Sequence, residues 1–222
     1  LAVEFYGETD EELKDKLDKL EWHLRSKSLM PRTEMIRALD AKQQADIWSV
    51  RKAGLGLLMS IKGDAKPIPG IEDVSVPVEH LAEYVAEIKQ LCAEHGTVAA
   101  YYAHASAGCL HIRPLINLKT SDGIRDMDAI TRAAADMAFR FSGVMSGEHG
   151  DGLQRSELNE KIFGSELYGA MRELKGIFDP LGIMNPGKVV DAPPMVENLR
   201  FGAEYVTAPL HTFLDFSKEG GF

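Results

Sequence analysis

The amino-acid sequence predicts an α+β fold, an antiparallel sheet with helices on one face. Three observations carry that expectation. Segments of helical and strand period come in the order strand, helix, strand, strand, helix. The two adjacent strand segments, 97–104 and 109–116, are joined by only Ala105-Ser106-Ala107-Gly108, short enough for an antiparallel hairpin connection. In the second of them Leu110 and Ile112 alternate with Cys109, His111 and Arg113, so one face is apolar and the other polar.

Each element has its own signal. Leu1-Ala2-Val3-Glu4-Phe5-Tyr6 reads as a strand, and Thr9 or Asp10 then caps a helix whose Leu13, Leu17, Leu20 and Leu24 share a face. Residues 33–38 read as a short strand. A helical stretch runs from about Ala41 through Trp48 and Leu58, and it dissolves at Gly63 and the Pro67, Pro69, Gly70 cluster. Strand-like Asp73-Val74-Ser75-Val76 stops at Pro77, and Leu81, Tyr84, Val85, Ile88, Leu91 and Cys92 trace an amphipathic helix that ends near Gly96. After the hairpin, Met127, Ile130, Ala134, Met137, Ala138 and Phe141 mark another helix. Leu167, Met171, Leu174 and Phe178 mark the last, which Asp179-Pro180-Leu181-Gly182 ends. From Ala192 onward prolines interrupt any helix and aromatics recur without period, the pattern of an extended arm or linker over 192–222.

At 222 residues and 45% hydrophobic content the chain can bury a real core. Acidic residues outnumber basic ones, 34 to 25, and no basic block stands out, which sets a nucleic-acid surface aside. Cys92 and Cys109 lack CxxC spacing, which points to buried thiols in a reducing compartment. No apolar run reaches the roughly 20 residues of a membrane span, and no signal-peptide pattern opens the chain, so a cytoplasmic location is expected. A start at Leu1, directly in a strand-like segment, is expected of a piece of a longer polypeptide.

The chemistry concentrates in Ser146-Gly147-Glu148-His149-Gly150-Asp151-Gly152. Three glycines let backbone approach a ligand or take φ > 0. Adjacent Glu148 and His149 supply an acceptor, a metal ligand and a group titrating near neutrality. A surface turn is the alternative, since Gly and Asp are ordinary turn residues. His104 and His111 flank the hairpin turn and can meet across it. Two imidazoles and a carboxylate, here Glu148, suit a catalytic metal with an open position. His-x6-His is a weak pattern by itself, and strand histidines also serve structure. Arg51, in an otherwise apolar helical stretch, and Lys66, in the Gly/Pro loop, offer a donor fork and a point charge to a small carboxylate, although most such residues are simply solvated. Asn185-Pro186-Gly187-Lys188 is a turn signal that could present an Asn amide.

These segments together resemble the C-terminal substrate domain of FAD-linked oxidases of the vanillyl-alcohol oxidase type, in the branch of D-lactate, glycolate and D-2-hydroxyglutarate dehydrogenases. The likeness rests on Trp48 through Lys52, Gly63 through Pro67, Ile71 through Val74 with Val76-Pro77, His104 through His111, Ser146 through Gly152 with Arg155, and Phe178-Asp179-Pro180 through Lys188. The pieces stand in the family's order and span about residues 1–191. The nearest likeness is to large bacterial proteins in which the flavoprotein part is fused to an iron-sulfur part.

The resemblance implies a ferredoxin-like α+β core with additional C-terminal helices. It implies FAD held mainly by a domain outside this chain, and a divalent metal, zinc first, on His104, His111 and Glu148. His149 would be the base for the hydroxyl of a D-2-hydroxy acid, and Arg51 and Lys66 would bind carboxylates. Glu148, Gly150 and Asn185 would face the flavin. The family's usual Gly-Asp-Gly-Asn between the histidines is replaced here by Ala105-Ser106-Ala107-Gly108-Cys109. Arg113 stands where Asn is common, and an added cation there would favour a substrate with a second carboxylate. By itself the chain is expected to be inert. A rival expectation is a metal- or carboxylate-binding module without redox chemistry, and a third is an interaction domain whose aromatic arm meets a partner.

Overall fold

The computed structural model describes residues 2–27, 29, 35–206 and 212–219. The chain divides into two compact bodies, Leu1–Leu55 and Gly56–Phe222. In the first, helix α1 spans Asp10–Ser26, capped by the Thr9 hydroxyl, which accepts from the Glu12 N–H. Asp10, Glu11 and Glu12 in its first turn and His23 and Arg25 in its last complement the helix dipole. Residues 2–6, expected as a strand, form none: a strand needs an edge to pair with, and no strand is found among the described residues of this body. Residues 35–38 are likewise irregular, because Arg37 ties this segment to Asp18 and Glu21 on α1 by ion pairs at 2.6 and 2.5 Å. The rest of that expected strand, 33 and 34, lies outside the described residues. Helix α2, Ala41–Met59, starts after Asp40, whose carboxylate accepts from the Gln43 N–H. It leaves Trp48, Val50, Leu55 and Leu57 exposed.

The second body holds strands β1 (Lys66–Pro67), β2 (Ile71–Ser75), β3 (Ala99–His104) and β4 (Cys109–Ile116), with helices α3 (Leu81–Glu94), α4 (Ser121–Arg140) and α5 (Asn159–Phe178). All pairings are antiparallel and β4 is central, with β2 and β3 along it and β1 at its end. Val144, after α4, adds one antiparallel bridge to Ser75, which puts it where a ferredoxin-like fold has its fourth strand. The α+β expectation is met. Helices α3 and α4 touch each other, and α4 lies against β2 and β4. The core between them contains Ile71, Val74, Tyr84, Ile88, Leu110, Ile112, Met127 and Ile130. Helix α4 is anchored by its period: Met127, Ile130, Thr131, Ala134, Ala135 and Ala138 are its buried stripe.

Two irregularities break these regular elements. Ile71 pairs Ile112, Glu72 pairs His111, but Val74 pairs Leu110, so Asp73 is the extra residue of a β-bulge, with φ +65°. The bulge keeps both Ile71 and Val74 in the core while Glu72 takes the opposite face. Helix α5 is interrupted at Gly164, φ +79°, so its first turns and the Leu167–Phe178 stretch are separate helical pieces. Beyond it Asp179 accepts from the N–H groups of Ile183 and Met184, ending the helix as expected. The segment after Ala192 begins by packing back, with Met195 buried in the core and its N–H donated to Glu157. No helix among the described residues is long and apolar enough to cross a membrane.

Candidate active site

The face of the sheet away from α3 and α4 carries the polar residues. Register puts Tyr102 of β3, His111 of β4 and Glu72 of β2 on one rung. His104 ends β3, and the 3-10 turn Ala105–Ala107 with Gly108 returns the chain so that the two histidine rings stand edge to face, 5.5 Å apart. Gly108 is required there: its φ is +69° and a Cβ would lie 2.0 Å from the Val76 carbonyl oxygen.

Asp73 brings the glycine-rich segment to this rung. The bulge turns its fully buried carboxylate toward residues 146–149. It accepts from the N–H groups of Gly147, Glu148 (3.3 Å) and His149 (2.7 Å) and from the Ser146 hydroxyl (3.1 Å). Burial pushes the Asp73 carboxyl up, but the N–H groups of His149 and Gly147 and the Arg155 charge outweigh it and hold it below the usual carboxylate range. Arg155, itself buried, donates to the carbonyls of Glu72, Met145 and Gly150, which locks the segment from its far side. Gly147 sits so close to β2 that a Cβ would lie 2.0 Å from the Ser75 hydroxyl.

The result is a cluster around one carboxylate. Nε2 of His104 lies 3.7 Å from Glu148 Oε1, and Nε2 of His111 lies 3.6 Å from Glu148 Oε2. One ligand atom from each of the three residues falls within 4.8 Å of the others. These gaps exceed a hydrogen bond. They approach the separation of about 3.3 Å expected when two ligands share an ion at about 2.0–2.1 Å each. The donor set therefore fits a divalent cation. Burial lowers the His111 pKa, with the Glu72 and Glu148 carboxylates opposing, so its ring is neutral near pH 7 and can offer a lone pair. His149 completes the group: its ring lies along His111 at 5.6 Å, its Nδ1 is 3.3 Å from Asp73, and its Nε2 is 3.7 Å from Glu148. Residues 147–150 are exposed, so a ligand or another domain can reach them.

The remaining candidate residues of the sequence have varied settings. Lys66 lies on β1, half-buried, and donates to the Ile61 carbonyl. Arg113 is largely buried, with Nε 2.8 Å from Glu72. Arg51 is exposed on α2, in the first body. Gly150 has φ +74° and open space around it. Asn185, φ +50°, lines an open groove of about 390 Å³ with Met171, Leu174, Phe178, Met184 and Val190. Sequence reasoning assigned no part to Glu72, Asp73 or Tyr102. The signal for Asp73 was the spacing Ile71, Val74, Val76, which steps by three and then two and so betrays a bulge in an alternating strand.

The family model for FAD linked oxidases, C-terminal domain, matches residues 1–189. The chain is 37% identical over 187 residues to the D-2-hydroxyglutarate dehydrogenase of Pseudomonas putida, covering 84% of this chain and 18% of that protein. It is 40% identical over 154 residues to the D-2-hydroxyglutarate dehydrogenase of Escherichia coli, covering 67% and 15%. To the D-lactate dehydrogenase of Archaeoglobus fulgidus it is 33% identical over 132 residues, covering 60% and 29%. The chain thus spans under a fifth of the length of these D-2-hydroxyglutarate dehydrogenases.

Proposed function

Because the chain belongs to the family of FAD-linked oxidase C-terminal domains, we propose that it is the substrate-binding part of an FAD-dependent D-2-hydroxyacid dehydrogenase, with D-2-hydroxyglutarate the first substrate to test. The observation that carries this reading is the convergence of His104, His111 and Glu148 on one point with His149 held beside them. The names of its relatives support the substrate class. When bound, a metal would acidify the 2-hydroxyl group and FAD would accept the two electrons that leave with the Cα hydrogen.

This chain's own residues would do the rest. Nε2 of His104, Nε2 of His111 and the Glu148 carboxylate are the proposed metal donors. The Asp73 carboxylate beside Nδ1 of His149 favours the tautomer with its proton on Nδ1, leaving Nε2 to take the hydroxyl proton. Lys66 is a proposed receiver of a substrate carboxylate, and Arg51 is proposed for the same task on the family resemblance alone. Arg113, the third cation proposed to receive a substrate carboxylate, also has its Nε 2.8 Å from Glu72. Glu148, Gly150 and Asn185 are the proposed flavin-side contacts, with the FAD-binding and iron-sulfur parts elsewhere in the polypeptide. Free, buried Cys92 and Cys109 support a reducing, cytoplasmic compartment, with a peripheral place at the inner membrane face compatible with it.

The test is flavin reduction in the full-length protein by a panel of D-2-hydroxy acids. His149→Ala is expected to keep stoichiometric flavin and to slow reduction by about 10²–10⁴-fold, the usual contribution of a general base. Reduction at near wild-type rate would remove His149 from that role, and a colourless wild-type protein would remove the redox reading.

A further inference from the structure

The Glu72 carboxylate lies behind His111, on the side away from Glu148. It is buried, in a strand, and its counter-charge is largely buried too: Arg113 Nε stands 2.8 Å from one oxygen, and the Tyr102 hydroxyl donates to the other at 2.8 Å. Burying an ion pair of this kind carries a desolvation penalty that a hydrophobic pair would avoid, so its presence calls for a task. Nδ1 of His111 supplies one. It is shielded from solvent, has no hydrogen-bond partner among the described residues, and lies 3.2 Å from Glu72 Oε1. An ionised carboxylate only accepts, so a neutral His111 facing it carries its proton on Nδ1 and turns its lone pair, on Nε2, toward Glu148. Tyr102 stacks on one face of the same ring, with centroids 4.5 Å apart and planes 19° from parallel, and His149 lies along it at 5.6 Å. The ring is therefore clamped as well as polarised.

We propose that Glu72, held by Arg113 and Tyr102, is a positioning residue that fixes the tautomer and orientation of His111 for metal binding. The inference rests on the reading of His104, His111 and Glu148 as a metal site, and it gives Arg113 the work of balancing Glu72. Outer carboxylates of this kind commonly carry 10–100-fold in metal affinity.

The experiment is equilibrium dialysis of the full-length, chelator-stripped protein against buffered zinc, reading bound zinc directly, with His111→Ala as the control that lacks a donor. Glu72→Gln is expected to weaken zinc binding by about 10–100-fold, with flavin content unchanged and turnover recovered at saturating zinc. A purely structural role would not give recovery by metal. Tyr102→Phe keeps the stacked ring and removes only the hydroxyl on Glu72, so it serves if Glu72→Gln fails to fold, and a smaller loss in the same direction is expected. If wild type binds zinc and both variants match it within twofold, the positioning role is overturned while the metal site stands. If wild type binds no more zinc than His111→Ala, the metal site falls and this role falls with it.

Discussion

Asp73 gathers more of the site than any residue that would touch substrate. One fully buried carboxylate accepts from three consecutive backbone N–H groups and a hydroxyl, so Glu148 and His149 inherit their positions from it. Asparagine at 73 would keep the shape but offer one acceptor oxygen in place of two, leaving buried donors unmatched. Asp73→Asn is therefore expected to cost about 2 kcal/mol of local stability, roughly a thirtyfold rise in amide exchange across 147–149 measured by mass spectrometry. Unchanged exchange there would mean the segment is held by Arg155 alone. The sequence made Glu148, His149, His104 and His111 legible because their chemistry is carried by residue type. Asp73 and Glu72 were opaque, since an acidic pair in a strand reads as one solvated position and one neighbour, whereas here the bulge turns Asp73 toward 146–149 and Glu72 is buried on the rung of His111.

At the scale of elements, the hairpin was legible to within two residues and its turn to the residue. Alternation in 109–113 and the four-residue link leave few other solutions. Gly108→Ala there would force a side chain into φ +69° and against the Val76 carbonyl oxygen. A loss of about 3 kcal/mol is expected, lowering the thermal midpoint of a chain this long by roughly 6–12 °C. The end of α5 is a second test. Asp179 is held below the usual carboxylate range by the Lys175 ammonium first and by the Met184 and Ile183 N–H groups, against the opposing effect of burial. A lowered folded pKa means that its stabilisation is complete above the unfolded value of about 3.9 and is lost as pH falls through the lower folded value. Protection of the Ile183 and Met184 amides should be flat from about pH 7 to 5 and fall in acid, and Asp179→Asn should abolish that acid step. The elements that failed to appear, at 2–6 and 35–38, found no strand among the described residues of their body to pair with, and Arg37 ties the second of them to α1 instead. Strand period is a local property, whereas a strand exists only if an edge is present to receive it.

For the whole molecule, the family-matched stretch, 1–189, covers the first body and the second as far as residue 189, while its curated D-2-hydroxyglutarate dehydrogenase relatives are more than five times longer than the part it matches. The two proposed cofactors would then have separate holders: metal on this chain, flavin mainly outside it. Removing metal with a chelator from the full-length protein is expected to abolish turnover on D-2-hydroxy acids and leave flavin content unchanged, with zinc restoring turnover. Parallel loss of flavin would place the flavin contacts on this chain more heavily than proposed. By itself the sequence determined the α+β class, the helices α1 to α5, the hairpin and the residue types of the site, because period, turn chemistry and donor chemistry are written locally. Only the tertiary structure decided that β4 is central, that Asp73 is a bulge anchoring 146–149, and that Glu72, His111 and Tyr102 share a rung. Those facts depend on register between strands distant in the chain, and one extra residue in β2 changes which way every side chain after it points.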